Sequence, residues 1–478
     1  MMKKYLNKYH NLSAPIKASL WFTVCNILQK GISMVTIPIF TRLLTTEQYG
    51  VYSVYQSWYS IIIVFTTLNL YYGVFNNGMI KYENDKNGFT SSIQGLATTA
   101  TAIFFFIYLL GIDHWNRLLN LPTVLVLVIF VDLFFTPAYS FWAAKQRFEF
   151  KYRSLVWVTV FIAILSPVLG FFAVIFSSYK AEARIISFVL VQVCVGIFFY
   201  WLNLYRGKKF FNLTYWAYAL KFNLPLIPHY LSQSILNQSD RIMIASMIGE
   251  SEAAIYSVAY SVSTLMILVT SAVNNSFIPY TYKCIRKKNF KQLEKSTNFL
   301  VTLVGIGSLL VIVFGPEVIA LFAPKEYYDA IWIIPPVAIS VYFLFLYPIF
   351  GNIEFYFEAN NFIMWASIFG AILNILLNFV FINTFGYIAA GYTTLFCYIV
   401  FSLGHYLFMK KVLKKNLPGI KIYNVKYILF FSTFLILAML LIVFVYPYVI
   451  IRYVITLFII LILFIKRDDI ILRVKNIS

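Results

Sequence analysis

The sequence predicts an all-α polytopic membrane protein of about fourteen transmembrane helices. These are expected as two six-helix bundles around a central cavity, followed by two further C-terminal helices. Three observations carry the expectation. The chain has 478 residues, of which 61% are apolar and 12% charged, whereas a soluble domain has about 45–50% apolar and about 25% charged residues. Apolar segments long enough to cross a bilayer follow one another along the chain with short polar loops between them. Finally, a stretch of the first half recurs in the second.

A hydrocarbon core about 30 Å thick takes roughly 20 apolar residues per helical crossing. On that measure the spans fall at 17–40, 50–75, 91–111, 121–142, 154–176 and 184–203, then at 222–248, 253–281, 297–322, 330–352, 361–382 and 387–409, and last at 426–446 and 448–465. Aromatic residues make up 19% of the chain. Trp and Tyr concentrate at membrane interfaces, which fits Tyr71 and Tyr72 or Trp201 and Tyr205 at span ends, while most of the Phe reads as lipid-facing filler.

The net charge of +20 raises the question of nucleic acid, and the placement of the charge answers it. Lys and Arg crowd the N-terminal tail, alternate loops and the C-terminal tail; the opposite side holds Arg42, Arg117, Lys180, Arg184, Lys325 and Arg452. That asymmetry is the positive-inside pattern, so the basicity is topological and no nucleic-acid partner is expected. An even number of spans places both termini of this multi-pass protein in the cytoplasm. The basic N-terminal flank precedes a helix too long for a signal peptide and is expected to be retained. Cys25, Cys194, Cys284 and Cys397 are far apart and have no disulfide or metal spacing.

"LLTTEQYGVYSVYQS" at 43–57 aligns without gaps to "MIGESEAAIYSVAYS" at 247–261, with Tyr52-Ser53-Val54 opposite Tyr256-Ser257-Val258. Downstream, "VFNNG" at 74–78 resembles "VNNSF" at 273–277 after a small gap. Each motif follows the first span of a six-span half, so both halves share one orientation and are related by an axis along the membrane normal. The expected division is an N-terminal lobe at 1–204, a C-terminal lobe at 205–415, and an added helix pair with a tail at 416–478.

Charges inside spans cost about 2.5–3.5 kcal/mol on insertion scales and tend to be functional. Lys30 stands 13 residues beyond Lys17, about 20 Å along a helix, too deep for easy snorkelling. It either lines a polar cavity or belongs to a structural ion pair. The seventh span, "LPLIPHYLSQSILNQSDRIMIASMIG" at 224–249, is unusually polar. Pro225 and Pro228 permit a bend near its start. Asp240 and Arg241 point about 100° apart on a helix and need separate partners, facing either a cavity or the interface. His229, Gln233, Asn237 and Gln238 add hydrogen-bonding groups, with His229 equally readable as a packing residue. Asp132 in the fourth span is a partner for Lys30 or a carrier for coupled ions or protons. Lys145, Arg147, Lys151 and Arg153 line the expected cytoplasmic entrance, as phosphate contacts or by topology alone.

No nucleotide loop, zinc-protease helix, nucleophile elbow or metal cluster occurs in the sequence. The outer loops are too short for an external catalytic domain. The protein is therefore expected to move a solute and to be no enzyme, with no cofactor and no metal.

Four stretches, "IPIFTRLLTTEQYGVYSVYQSW" (37–58), "KQRFEFKYRSLV" (145–156), "LPLIPHYLSQSILNQSDRIMI" (224–244) and "YYDAIWIIPPVAISVYFLFLYPIFGNIEFYFEANN" (327–361), resemble bacterial polysaccharide flippases. That family translocates O-antigen or capsule repeat units and shares a superfamily with MATE exporters and lipid II flippases. The resemblance implies a MATE-like fold and alternating-access movement of an undecaprenyl-pyrophosphate-linked oligosaccharide from the inner to the outer leaflet. It also implies lipid contact and partnership with the polymerase and chain-length machinery of lipopolysaccharide or other glycan assembly. A cationic cavity suits a pyrophosphate, and Lys30 and Arg241 are the expected cations, with Asp240, His229, Gln233 and Asn237 beside the substrate. The alternatives are a cation-coupled multidrug exporter using Asp132 or Asp240, and a membrane polysaccharide polymerase.

Overall fold

A computed structural model describes residues 13–359 and 361–465, and every long element in them is an α-helix. The tails at 1–12 and 466–478, on which the expected cytoplasmic placement of both termini rests, lie outside the described residues. The chain forms two compact units, 1–234 and 235–478.

The first unit contains α1 (Ala14–Leu43), α2 (Thr46–Thr67), α3 (Gly73–Lys81), α4 (Lys86–Leu109), α5 (Ile112–Leu119), α6 (Thr123–Phe148), α7 (Tyr152–Phe176), α8 (Lys180–Gly207) and α9 (Leu213–Asn223). α10 (Ile227–Met247) begins in this unit and ends in the second. The second continues with α11 (Glu250–Ser263), α12 (Met266–Arg286), α13 (Phe290–Val313), α14 (Gly315–Phe322), α15 (Ile334–Tyr356), α16 (Asn361–Phe385), α17 (Ala389–Asn416), α18 (Val425–Val445) and α19 (Val449–Ile465). In the first unit α8 packs on both α6 and α7; in the second α17 packs on α15 and α16.

Among the described residues ten helices are long and apolar enough to cross a membrane, or eleven if the bent pair α11–α12 is one span. The segment expected as one span at 253–281 is bent by 41° between these two helices. The segment expected at 297–322 is divided between α13 and α14, where Gly315-Pro316 restarts the helix. α10 falls short of the apolar test because it carries the amides and charges noted above. A 3₁₀ turn, Leu224–Leu226, leads into it at Pro225.

The ends of these helices follow from their caps. Thr45 and Gln48 form a reciprocal capping box at the start of α2, with N···O distances of 3.2 and 3.1 Å. Asp85 caps α4 by accepting from the Gly88 amide at 3.0 Å and also receives the Tyr215 hydroxyl at 2.8 Å. Burial and that carboxylate push the Tyr215 phenol up to about 12, so it remains the donor. α2 starts at Thr46 and α11 at Glu250, which are opposite each other in the ungapped alignment; carried forward, the same register sets the α4 start, Lys86, against the α13 start, Phe290. Ser53 and Ser57 on α2 bond back to the carbonyls of Tyr49 and Ser53, and Ser257 and Ser261 on α11 repeat the pattern on Ala253 and Ser257.

Small residues set the closest helix approaches, as in membrane bundles generally. A Cβ at Gly196 on α8 would lie 2.7 Å from the Phe135 carbonyl on α6, and backbone cannot yield as a side chain can. Gly196→Leu should therefore destabilise the first unit by about 1–3 kcal/mol, read as a lower thermal midpoint in detergent. Gly31→Leu, with nothing within 4 Å of the new Cβ, should leave that midpoint unchanged.

Candidate functional site

α10 supplies the densest polar cluster, and its second half organises the second unit. Asp240 is fully buried and accepts four hydrogen bonds. Its donors are the Tyr256 hydroxyl at 2.5 Å, the Thr394 hydroxyl at 2.8 Å, and the side-chain amides of Asn378 at 2.6 Å and Asn374 at 3.3 Å. Ser239, next along α10, donates to Asn374 Oδ1 at 2.7 Å, and Thr393 donates to Asn378 Oδ1. A carboxylate in hydrocarbon is tolerable when several donors stabilise the charged form, and four helices meet here to supply them.

Arg241 is bound separately. Its Nη1 donates to the Asn237 carbonyl at 2.7 Å and to Gln238 Oε1 at 3.0 Å, and the guanidinium lies over the Tyr260 ring, 4.3 Å from its centroid. Asn237 Oδ1 accepts from Tyr260 at 3.3 Å and Tyr398 at 3.4 Å. Nε and Nη2 of Arg241 make no hydrogen bond with a described residue, although the side chain is only 9% exposed. The arrangement has one sealed carboxylate and one cation with two nitrogens, Nε and Nη2, left to donate.

In the first unit Lys30 is exposed on α1, with no hydrogen bond or ion pair to a described residue. Asp132 on α6 is 2% exposed and receives hydrogen bonds from Thr136 and the Tyr59 hydroxyl; no ion pair joins it to Lys30. Gln233 lines a cavity of about 530 Å³ together with Ser60, Asn69, Tyr71, Tyr72, Tyr230 and Ser234. His229, half-buried one turn earlier, does not line it. Of the entrance residues, Arg147 and Arg153 are exposed, while Lys145 donates to Asn87 and sits 4.0 Å from Glu149, which also binds Lys151 at 2.6 Å.

The pairings of several buried ionisable side chains escaped the sequence reading. Glu354 on α15 and His405 on α17 are both fully buried, with Nδ1 3.0 and 3.1 Å from the two carboxylate oxygens. Arg452 at the start of α19 forks onto Glu317 of α14 at 2.8 and 2.5 Å. Arg184, counted above among the outer-side charges, is only 5% exposed and lies in a cage of Phe40, Tyr52 and Phe188, with centroid distances of 3.8, 5.1 and 5.9 Å. A charge inside an apolar run was the available signal for Glu354 and His405. Among the described residues no group of three His, Cys, Asp or Glu is placed to hold a metal ion.

Residues 16–285 match the family described as "Polysaccharide biosynthesis protein", and residues 225–380 match the MatE family. An Lsg-locus protein of Haemophilus influenzae is 24% identical over 391 residues, which is 75% of this chain and 88% of that protein. The uncharacterized membrane protein MJ1375 of Methanocaldococcus jannaschii is 23% identical over 427 residues, 84% of this chain and 99% of its own length. The fold is similar to that of the lipid II flippase MurJ in an inward closed conformation, with a TM-score of 0.66 and 15% identity over 94% of this chain and 100% of that one. It is also similar to an inward-facing MATE-family multidrug transporter of the MOP superfamily, with a TM-score of 0.62 and 16% identity over 81% of this chain and 96% of that one. The fold is that of these solved transporters, and the family match, running over more than half the chain, makes this protein a member of the polysaccharide biosynthesis family.

Proposed function

We propose that the protein is a flippase, translocating undecaprenyl-pyrophosphate-linked oligosaccharide repeat units across the cytoplasmic membrane by alternating access. The observation that carries this reading is the sign of the accessible charge. Lys30, deep in an apolar helix, is exposed and without an ion pair among the described residues, whereas the intramembrane carboxylates Asp132 and Asp240 are sealed and engaged. An exposed ammonium in hydrocarbon is costly, so Lys30 is assigned to a watered path that accepts an anion. A cationic drug would instead call for an accessible carboxylate, which disfavours the multidrug-exporter alternative.

The remaining parts of the proposal follow the sequence expectations. The chain crosses the membrane fourteen times, with both termini cytoplasmic and with lobes at 1–204 and 205–415 followed by a helix pair at 416–478. The matched starts of α2 with α11 and of α4 with α13 support the repeat. Lys30 and the spare donors of Arg241 bind pyrophosphate, while Arg147 and Arg153 guide it in. The Tyr- and amide-lined cavity at Gln233 has a volume typical of a small-molecule site and takes part of the sugar. Asp132 is the carboxylate offered for ion or proton coupling, and the polymerase and chain-length machinery receives the product.

In a strain lacking its own copy, Lys30→Ala and Arg241→Ala should each reach the membrane in normal amount yet fail to restore surface polysaccharide, and lipid-linked intermediates should accumulate. Full complementation by both variants would remove the cationic site from the account. Asp240→Ala should behave differently, since it strands four buried donors at about 1–3 kcal/mol for each one left unsatisfied. Its thermal midpoint in detergent should fall markedly, while that of Lys30→Ala stays at the wild-type value.

A further inference from the structure

The end of α17 and the start of α18 enclose a cavity of about 600 Å³ that the transport path above does not use. Four lysines converge on it: Lys410 and Lys414 from the last turns of α17, Lys421 from the connecting segment, and Lys426 from the first turn of α18. Lys411 and Lys415, one position on from the first two, do not line it. The positive-inside rule requires only that basic residues stand on one side of a membrane. It does not require that they point into one cavity. One carboxylate, Glu294, shares the lining, and none of the four ammonium groups has an ion pair or hydrogen bond to a described residue.

The cavity is fixed by the fold. Gly419, at φ +80°, reverses the chain after α17. Ile422 and Tyr423 are then buried, with the Tyr423 hydroxyl donating to the Ile349 carbonyl at 2.9 Å. Asn424 caps α18 at the Tyr427 amide, 3.1 Å away, and a strongly apolar helix begins directly after Lys426. Leu413, Ile420 and Val425 give the cavity an apolar wall below the lysines. Basic charge over apolar wall, at the end of a membrane-crossing helix, matches the boundary between phosphate and acyl chain in a glycerophospholipid.

We infer that this cavity is a binding site for the headgroup of an anionic phospholipid carrying two phosphates, of the cardiolipin class. Basic pockets between helices recognise such headgroups, each basic residue adding roughly a fivefold preference at an anionic surface. Four uncompensated lysines suit two phosphates better than one, and the apolar wall favours a lipid over a soluble polyanion.

The test uses the full-length protein, purified in a neutral detergent and titrated with cardiolipin or phosphatidylcholine, with bound lipid counted by native mass spectrometry. Cardiolipin should bind at least about tenfold more tightly than phosphatidylcholine. The quadruple variant K410A/K414A/K421A/K426A should lose that preference. The matched variant K287A/K288A/K411A/K415A, which removes the same charge elsewhere, should keep it, and the four lysine-to-arginine changes at the cavity should also keep it. Equal losses in both alanine variants would reduce the effect to net charge and overturn the site. Absence of any preference would do the same, and so would displacement of cardiolipin by an equal concentration of inorganic pyrophosphate, which would mark a soluble-anion site.

Discussion

A carboxylate within hydrocarbon has to be satisfied by the protein itself, and the Asp240 cluster is where that constraint governs the second unit. Four donors from α11, α16 and α17 meet one side chain of α10. Asn374 and Asn378 are one turn apart on a largely apolar helix, and both are fully buried. Apolar packing alone gives helices in lipid little preference for particular neighbours, because acyl chains are as apolar as Leu. A buried carboxylate with four fixed partners supplies that preference. Glu354 with His405 and Glu317 with Arg452 repeat the solution on other helix pairs of the same unit.

The same constraint separates charges that build the fold from charges available for work. Asp240 and Glu354 are enclosed and partnered, so polar groups of the protein have taken the place of their solvation. Lys30 has no such replacement, and Arg241 has one for only part of its guanidinium. On the flippase reading this imbalance is useful. A diphosphate entering the path meets cations whose donors are unspent, while a lipid without charged groups gains nothing there. Binding that neutralises an exposed ammonium also need not be tight, and a carrier must release what it binds.

The amount of this visible in the sequence depended on the range over which each feature is encoded. Apolar length located most helices, since each span is a local property, and Pro225 marked a bend for the same reason, whereas the break at Gly315-Pro316 was passed over because it lies inside an apolar run read as one span. The bend after Ser263 carries neither glycine nor proline and left no local mark. Asp240 stood out as a polar residue in a span, and its separation from Arg241 followed from helical geometry. Its partners did not follow, because Thr394 and Asn378 are 154 and 138 residues away and become neighbours only through packing. Arg184 was counted as an outer-side charge at the very start of a span, whereas α8 begins four residues earlier, at Lys180, and the π faces around the guanidinium enclose it.

The repeat shows how one sequence position comes to serve opposite charges. Tyr52 and Tyr256 occupy equivalent places, on helices whose starts coincide in the alignment. In the first unit the ring of Tyr52 lies 5.1 Å from the Arg184 guanidinium; in the second the hydroxyl of Tyr256 donates to Asp240 at 2.5 Å. A phenol permits both, since its face is the negative part of the ring quadrupole and its O–H is a donor. A tyrosine at this position can therefore be kept while the charge beside it changes sign. Two helices that carry one motif can thus diverge in electrostatic surroundings without a change in the motif itself.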